Sequence, residues 1–309
     1  MGHPAPSVAR ARLMLVLAAV MWSTSSLFIR SLQEPTGLGL DEPRLSPLQL
    51  AVYRSLFAGL GLLPLVRPRD VRVRPAMGLM VLFFAVMTGL YLSAIALGPA
   101  ANAILLQNTA PVWVYAVGVL LLGDAPDPRT LRAIVLAVAG ALLIVLGNWP
   151  RGLEPDARAV QATILLMATG SGVFYAGVIL LLRFLRAESS AWLTVLNMLG
   201  SGAVFLGYEF FTRGTDATLD WLSAPTWRQL VFIAVFGAFQ MAVPYWLFTR
   251  GLQSVSPQEA GIITLLEPVL NPVWAYLITS GREAPTPWTL AGGGVLLAAL
   301  AWRYWPTRR

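Results

Sequence analysis

The stretch ITLLEPVLNPVW, residues 263–274, places one glutamate and two prolines inside an otherwise apolar run. A charged side chain at the centre of a membrane helix costs roughly 2.5–3.5 kcal/mol on insertion scales. Pro268 leaves the carbonyl of Thr264 without its helical hydrogen bond, and Pro272 does the same to the carbonyl of Pro268. Such carbonyls are tolerated at membrane depth only where they are buried in protein or face water. The stretch therefore predicts a polar site within a membrane-spanning segment.

The composition of the 309-residue chain is typical of a membrane protein. Hydrophobic residues make up 57% and charged residues 12%, with a mean hydropathy of +0.67, whereas soluble domains carry about 25% charged residues. All 22 basic residues are arginine and lie singly or in small clusters between apolar runs. That spacing argues against the basic patch of a nucleic-acid-binding protein. With no cysteine, and with the only histidine, His3, in a predicted disordered tail, we expect no metal site, catalytic residue or cofactor.

Ten segments are long and apolar enough to cross a bilayer, which takes about 20 mostly apolar residues. They are 12–32, 47–66, 76–97, 101–122, 129–147, 158–182, 189–211, 228–249, 257–279 and 287–305. The prediction is an all-α integral membrane protein with ten transmembrane helices. Residues 10–27 also resemble a secretory signal, but their apolar character continues to Ile29, which favours a retained first span.

The arginines outside the spans predict the orientation of the chain by the positive-inside rule. If the N-terminus is cytoplasmic, 14 arginines lie on the cytoplasmic side and 7 on the other side, with Arg54 left inside a span. We therefore expect a multi-pass protein of a bacterial inner membrane with both termini in the cytoplasm.

A shift of 159 residues relates the two halves of the chain. GDAPDPRTL at 123–131 recurs as REAPTPWTL at 282–290. We predict two five-helix repeats, 11–147 and 158–305, joined by a linker at 148–157. Because five crossings is an odd number, the second repeat must enter the membrane inverted. Inverted repeats around a site at the midplane are a recurring plan of secondary transporters.

Several short motifs occur in a characteristic order along the ten predicted spans. They are WSTSSLFIR at 22–30, YRS at 53–55, APV at 110–112, LGD at 122–124, LLEPV at 265–269 and GRE at 281–283. In this order and spacing the chain resembles the drug/metabolite transporter superfamily, in particular its EamA-like members with two domains. Relatives end their fourth and ninth spans with Leu-Gly-Glu, whereas this chain has Asp124 in one copy and an interposed Arg282 in the other.

The ninth predicted span presents a polar face at mid-depth. Thr264, Glu267, Asn271 and Trp274 are spaced 3, 4 and 3 residues apart, which places them on one side of a helix. Glu267 follows Pro257 by ten residues and so lies about 15 Å into the bilayer, at 1.5 Å per residue. This is the depth at which inverted-repeat carriers bind substrate.

The first repeat contains a counterpart of this face. The shift of 159 residues matches Glu267 to Asn108 and Trp274 to Tyr115, and Pro111 shares the face of Asn108 and Tyr115. Pro111, Pro268 and Pro272 are the predicted helix-breaking residues near the site. An amide opposite a carboxylate suits a substrate with two chemically distinct ends, such as a zwitterion.

The two charged residues inside spans each have more than one interpretation. Glu267 is a candidate for binding substrate, for an interhelical hydrogen bond in its protonated form, or for carrying a coupling proton, since burial favours the neutral carboxyl. Arg54 is interpreted as reaching outward to the interface, pairing with an acid such as Glu209, or facing an anionic group of the substrate.

Other candidates for the cavity come from aromatic and amide side chains near helix centres, because large rings give a cavity apolar walls with polar tips. They are Trp22, Tyr91, Tyr175, Gln240 and Tyr245. The resemblance implies that spans 1, 3, 6 and 8, with the fourth and ninth, line the central cavity. Packing and lipid-facing roles remain alternatives for each aromatic residue.

The predicted function is secondary-active transport of a small polar metabolite by alternating access. The resemblance implies export or exchange, with an amino acid or related compound as substrate. The alternatives are an intramembrane enzyme acting on a lipid-linked substrate and a passive channel. The acids nearest the surface, Asp124 and Asp127, are interpreted as loop and helix-cap residues. The expected partners are the substrate and the lipid bilayer, with no nucleic acid, and both a monomer and a homodimer stay open.

Overall fold

The computed structural model describes residues 6–152, 154–255 and 257–304, so His3 of the predicted tail and the C-terminal Arg308 and Arg309 lie outside the described residues. Within the described residues the chain is helical and contains no strand. The helices are α1 (Val8–Trp22), α2 (Ser25–Gln33), α3 (Pro47–Leu62), α4 (Pro75–Leu97), α5 (Ala100–Gln107), α6 (Ala110–Leu120), α7 (Pro128–Gly147), α8 (Pro155–Phe184), α9 (Ser190–Arg213), α10 (Thr215–Ser223), α11 (Trp227–Gly237), α12 (Val243–Gly251), α13 (Pro257–Thr264), α14 (Leu266–Ile278) and α15 (Pro287–Tyr304).

These helices confirm the predicted all-α membrane fold. Among the described residues, eight helical segments are long and apolar enough to cross a bilayer, from Val8–Gln33 to Trp227–Gly251. The remaining two predicted spans correspond to α13 with α14, and to α15. Every observed segment begins and ends within four residues of its prediction. α8 begins at Pro155, inside the predicted linker, because proline is favoured in the first turn of a helix. The predicted repeat boundaries stay a prediction.

Contacts between the helix ends show the alternating direction of the spans. Arg12 in α1 pairs with Glu259 in α13 at 2.5 Å, and these two residues define what we call the terminal face. On the opposite side, Gln229 of α11 donates to the carbonyl of Leu40 at 2.9 Å, and these residues define the distal face. Arg12 lies before the first crossing and Glu259 lies after the eighth, whereas Leu40 lies after the first crossing and Gln229 after the seventh. An even number of crossings therefore leads to the terminal face, and an odd number leads to the distal face. The contacts therefore fit ten crossings.

Four of the spans are interrupted near their middle. α1 and α2 are separated at residues 23–24, α5 and α6 at residues 108–109, and α13 and α14 at Leu265, while a π-helical turn at Ala238–Ala242 separates α11 and α12. In span 9 the interruption precedes Pro268, which lies in the first turn of α14, where a missing N–H costs no helical bond. In span 4 Pro111 has the same place in α6.

No interruption occurs at Pro272, contrary to the prediction that it breaks the helix. α14 continues through Pro272 to Ile278. A single missing bond is accommodated in a packed membrane helix when neighbouring groups bond the backbone around it. The Ser26 hydroxyl donates to the adjacent Asn271 carbonyl at 2.7 Å, which ties this turn of α14 to α2.

The last helices of the two repeats, α7 and α15, pack along each other. Gly140 and Gly292 allow this close approach. A Cβ on Gly140 would lie 2.6 Å from the Gly292 carbonyl oxygen, and a Cβ on Gly292 would meet the Gly140 carbonyl oxygen. Small residues at such positions let membrane helices approach backbone to backbone.

We expect Gly292→Leu to lower the free energy of unfolding by about 1–3 kcal/mol, because the added side chain forces the two backbones apart. The matched control is Gly294→Leu, since nothing lies within 4 Å of a Cβ at Gly294. Denaturation of the purified variants in detergent measures both effects. Equal stability of the two variants would contradict the packing described for α7 and α15.

Candidate functional site

The interruption of the first span is produced by consecutive hydroxyl side chains. Ser23 donates to the carbonyl of Val20 at 2.7 Å, and Thr24 donates to that of Met21 at 2.6 Å. Hydroxyl groups that bond to the preceding turn compete with the helical ladder and bend helices. α1 therefore ends at Trp22, whose backbone carbonyl accepts a hydrogen bond from Gln240 Nε2 at 3.1 Å.

Side chains of α14 and α4 bond to the hydroxyl groups at this interruption. Asn271 Nδ2 donates to Ser25 Oγ at 2.6 Å, and the Tyr91 hydroxyl lies 3.3 Å from the same oxygen. Trp274 Nε1 donates to Ser23 Oγ at 2.8 Å. We call Ser23, Ser25, Ser26, Tyr91, Gln240, Asn271 and Trp274 the central polar cluster. It joins spans 1, 3, 8 and 9, of which the first two belong to one repeat and the last two to the other.

Arg54 extends the central polar cluster to span 2. Its Nη1 donates to Gln240 Oε1 at 2.9 Å, and its guanidinium carbon lies 5.6 Å from the centre of the Phe236 ring. Only 4% of Arg54 is exposed, and its Nε has no hydrogen-bond partner. Among the described residues no carboxylate forms an ion pair with it, so the pairing considered with Glu209 is absent. Glu209 instead pairs with Arg213 in its own helix at 2.5 Å.

Glu267 lies one helical turn before Asn271, in the first turn of α14. The N-terminal end of a helix carries a partial positive charge, which favours a carboxylate there. Within the described part of the chain, no donor is within hydrogen-bond distance of this carboxyl group. The interhelical hydrogen bond considered as its structural role is therefore not formed in this structure, and the carboxyl group is available to a ligand.

Arg54 and Glu267 are ionisable side chains next to the central polar cluster. Arg54 bonds to Gln240, and Glu267 lies one turn before Asn271. Among the described residues the two do not form an ion pair with each other. The central polar cluster thus adjoins a buried cation and a half-buried acid, neither of which has an ion-pair partner among the described residues.

The structure gives the following positions and contacts for several other predicted site residues. Asn108 donates to the carbonyl of Ile104 in its own helix at 2.8 Å. Tyr175 is 39% exposed on α8, and Tyr245 packs against a separate apolar cluster that includes Ala58 and Val195. Thr264 is the last residue of α13.

Tyr115 and Pro111 line a different cavity, which opens at the terminal face. This cavity has a volume of about 320 Å³ and is also lined by Asp124, Asp127 and Arg183, among others. Tyr115, a candidate for the central site, therefore lines this cavity at the terminal face. The reason is its position in α6, two turns beyond the interruption of span 4, where the helix approaches the terminal face.

The sequence interpretation missed the hydroxyl residues Ser23, Ser25 and Ser26 as part of the site. The signal was present, since four hydroxyl residues follow one another at 23–26 inside an apolar span. Arg54 was singled out but not assigned to the site, because nothing in the sequence shows that its neighbour is the amide of Gln240.

Two acids at the terminal face have the roles expected for the loop between spans 4 and 5. Asp127 caps α7, where its carboxylate accepts from the backbone N–H of Thr130 at 2.8 Å. Asp124 accepts two hydrogen bonds from Arg183, at 2.7 and 3.0 Å. These hydrogen bonds from the guanidinium hold the pKa of Asp124 below its ordinary value of 3.8.

The pKa of Asp124 gives a testable pH dependence. A carboxyl group with a lowered pKa stabilises the folded protein above its ordinary pKa, and this contribution is lost as pH falls through the lowered value. We expect the difference in unfolding temperature between the wild type and Asp124→Asn to be constant between about pH 5 and 8. It should shrink only below pH 3.8. A difference that disappears near neutral pH would contradict the assignment.

Comparisons with known proteins agree with this architecture. The sequence profile of the EamA-like transporter family matches residues 9–146 and again 162–304. An uncharacterized transporter of Archaeoglobus fulgidus is 30% identical over 293 residues, which cover 94% of this chain and 95% of that protein. The pseudopaline exporter CntI of Pseudomonas aeruginosa is 26% identical over 255 residues, covering 81% of this chain and 84% of the exporter. A crystal structure with 16% sequence identity superposes with a TM-score of 0.60 over 96% of this chain and 98% of the other, which shows a shared fold.

Proposed function

Since the chain belongs to the EamA-like transporter family, we propose that it is a secondary-active carrier that moves a small zwitterionic metabolite, such as an amino acid, by alternating access. The observation that carries this proposal is the central polar cluster, which joins both repeats next to Arg54 and Glu267. Among the described residues neither Arg54 nor Glu267 has an ion-pair partner. Inverted-repeat carriers bind substrate at such an interface, where discontinuous helices end. Export or exchange is the proposed direction, supported by the relative named as an exporter.

The charges of the site support a substrate with two ends of opposite charge. A carboxylate on the substrate would accept hydrogen bonds from Arg54, and an ammonium group would donate to Glu267. Buried charges are costly unless they are paired, so an empty site with both charges pays a cost that a zwitterion removes. The N-terminal end of α14 and the Asn271 amide then help to orient the two ends of the substrate in the site.

Membrane topology supports export from the cytoplasm. We propose that the terminal face is cytoplasmic, because the arginines outside the spans divide 14 to 7 in its favour. The protein would then lie in the inner membrane of a bacterial cell, with both termini in the cytoplasm. Energy would come from an ion gradient or from exchange, and Glu267 is the residue that we propose to carry a coupling proton.

The test is flux through vesicles that contain the purified protein, with labelled amino acids, sugars and nucleotide derivatives as candidate substrates. We expect saturable flux of a compound that carries both an ammonium and a carboxylate group, and at least about a tenfold loss in Glu267→Gln and Asn271→Ala. Asn148→Ala, on the distal face, is the control for loss of an asparagine and should transport at the wild-type rate.

Several outcomes would contradict the proposal. Wild-type flux in both folded site variants would rule out this site. Flux that does not saturate would indicate a channel, and chemical change of the compound would indicate an enzyme. Coupling through Glu267 would be excluded if wild type and Glu267→Gln had the same pH profile and the same response to an imposed proton gradient.

A further inference from the structure

A buried ion pair ties the two repeats together at the distal face. Arg30, near the end of α2, donates through Nε and Nη2 to the two carboxylate oxygens of Glu283, at 2.9 and 2.6 Å. The side chains are 8% and 14% exposed. Arg30 also donates to the Gly98 carbonyl at 2.5 Å, and the Ala100 N–H donates to Glu283 at 2.7 Å. The pair therefore connects spans 1, 3 and 4 to the connection before α15.

A second ion pair ties the repeats together at the terminal face. Arg183, near the end of α8, donates through both terminal nitrogens to the two oxygens of Asp124. Here the side chains are 56% and 39% exposed. The pair lies at the wall of the 320 Å³ cavity that opens at this face.

The two pairs are related by the internal repeat. The shift of 159 residues that aligns the repeats maps Asp124 onto Glu283. Arg183 lies 153 residues after Arg30, so the two arginines are equivalent by their place at the end of a first span and not by the exact shift. In both pairs an arginine at the end of the first span of one repeat binds an acid in the connection between the fourth and fifth spans of the other repeat. Because the repeats are inverted, the same contact occurs once at each face. A pair of unrelated surface contacts would not exchange partners in this reciprocal way.

We propose that Arg30–Glu283 and Arg183–Asp124 are the two alternating closures of the transport path. Each holds the repeats together at one face, so a rocking motion of one repeat against the other must break one pair while the other stays formed. In this structure both pairs are formed, and the path is closed at both points. The terminal pair is exposed, and exposed ion pairs are weaker than buried ones that are fully hydrogen-bonded. The terminal face is therefore the one that opens more readily.

The chain contains no cysteine, so pairs of spin labels can be attached to introduced cysteines without background labelling. Exposed residues on the two repeats serve as label sites. For the distal face we choose Leu97→Cys with Leu290→Cys, and for the terminal face Leu120→Cys with Phe184→Cys. Distances between the labels are measured by pulsed electron spin resonance on the full chain in lipid.

Neutralising one acid at a time should lengthen the distance between the labels only at the face of that acid. Glu283→Gln should raise the ratio of long to short distal distances by roughly tenfold and leave the terminal distances unchanged or shorter. Asp124→Asn should lengthen the terminal distances only. Glu209→Gln is the control, because its carboxylate is also buried at the distal end of a helix but pairs within that helix. It should change neither distance.

Should Glu283→Gln fail to fold, Glu283→Asp tests the same pair, since the shorter carboxylate loses the bidentate contact but keeps the charge. The proposal is overturned if either acid substitution lengthens both distances or neither. It rests on the proposed carrier function, but the two fail separately. If each substitution lengthens only the label distance at its own face but the protein shows no flux, the carrier function alone is contradicted. If the protein shows flux but the distances do not respond in this way, the alternating closures alone are contradicted.

Discussion

A hydrogen-bonding group in the hydrocarbon core of a membrane must find its partner within the protein, because lipid offers none. The interruption of the first span at residues 23–24 exposes such groups at mid-depth. The Trp22 carbonyl is bonded by Gln240, and Ser23 and Ser25 by Trp274 and Asn271. All three donors belong to the second repeat. Side chains of the second repeat thus bond the polar groups at the interruption of the first span, and these bonds hold the two repeats together at the site.

The same requirement explains why charge is tolerated at the site. Glu267 lies at the N-terminal end of α14, where the helix dipole favours a carboxylate. Arg54 lies over the Phe236 ring and bonds to the Gln240 amide, and such contacts partly replace water around a guanidinium. Neither acquires a partner of opposite charge among the described residues. We propose that these two charges serve a ligand at the interface between the repeats.

Sequence reasoning predicted the spans and the polar face of α14 because both rest on local signals, while the transport role of that face stays a prediction. An uninterrupted apolar run defines a span by its length, and Glu267, Asn271 and Trp274 share a helical face by their spacing. The substrate-site roles of Tyr115 and Asn108 stay predictions, because the repeat alignment gives equivalence in the chain but no position in space. Sequence reasoning also could not identify the partner of Arg30. Which loop of the second repeat reaches that arginine depends on the packing of α14 and α15 against α5, a property of the whole assembly.

The central claim is that a ligand occupies the interface between the interruption of the first span and α14. Ser23→Cys introduces a near-isosteric thiol at that interface in a chain without other cysteines. The measurement is the rate at which a small alkylating reagent modifies this thiol, with and without a compound that the protein transports. The account predicts that a transported compound slows the modification in proportion to its occupancy of the site. An unchanged rate at saturating concentrations of a transported compound would contradict it.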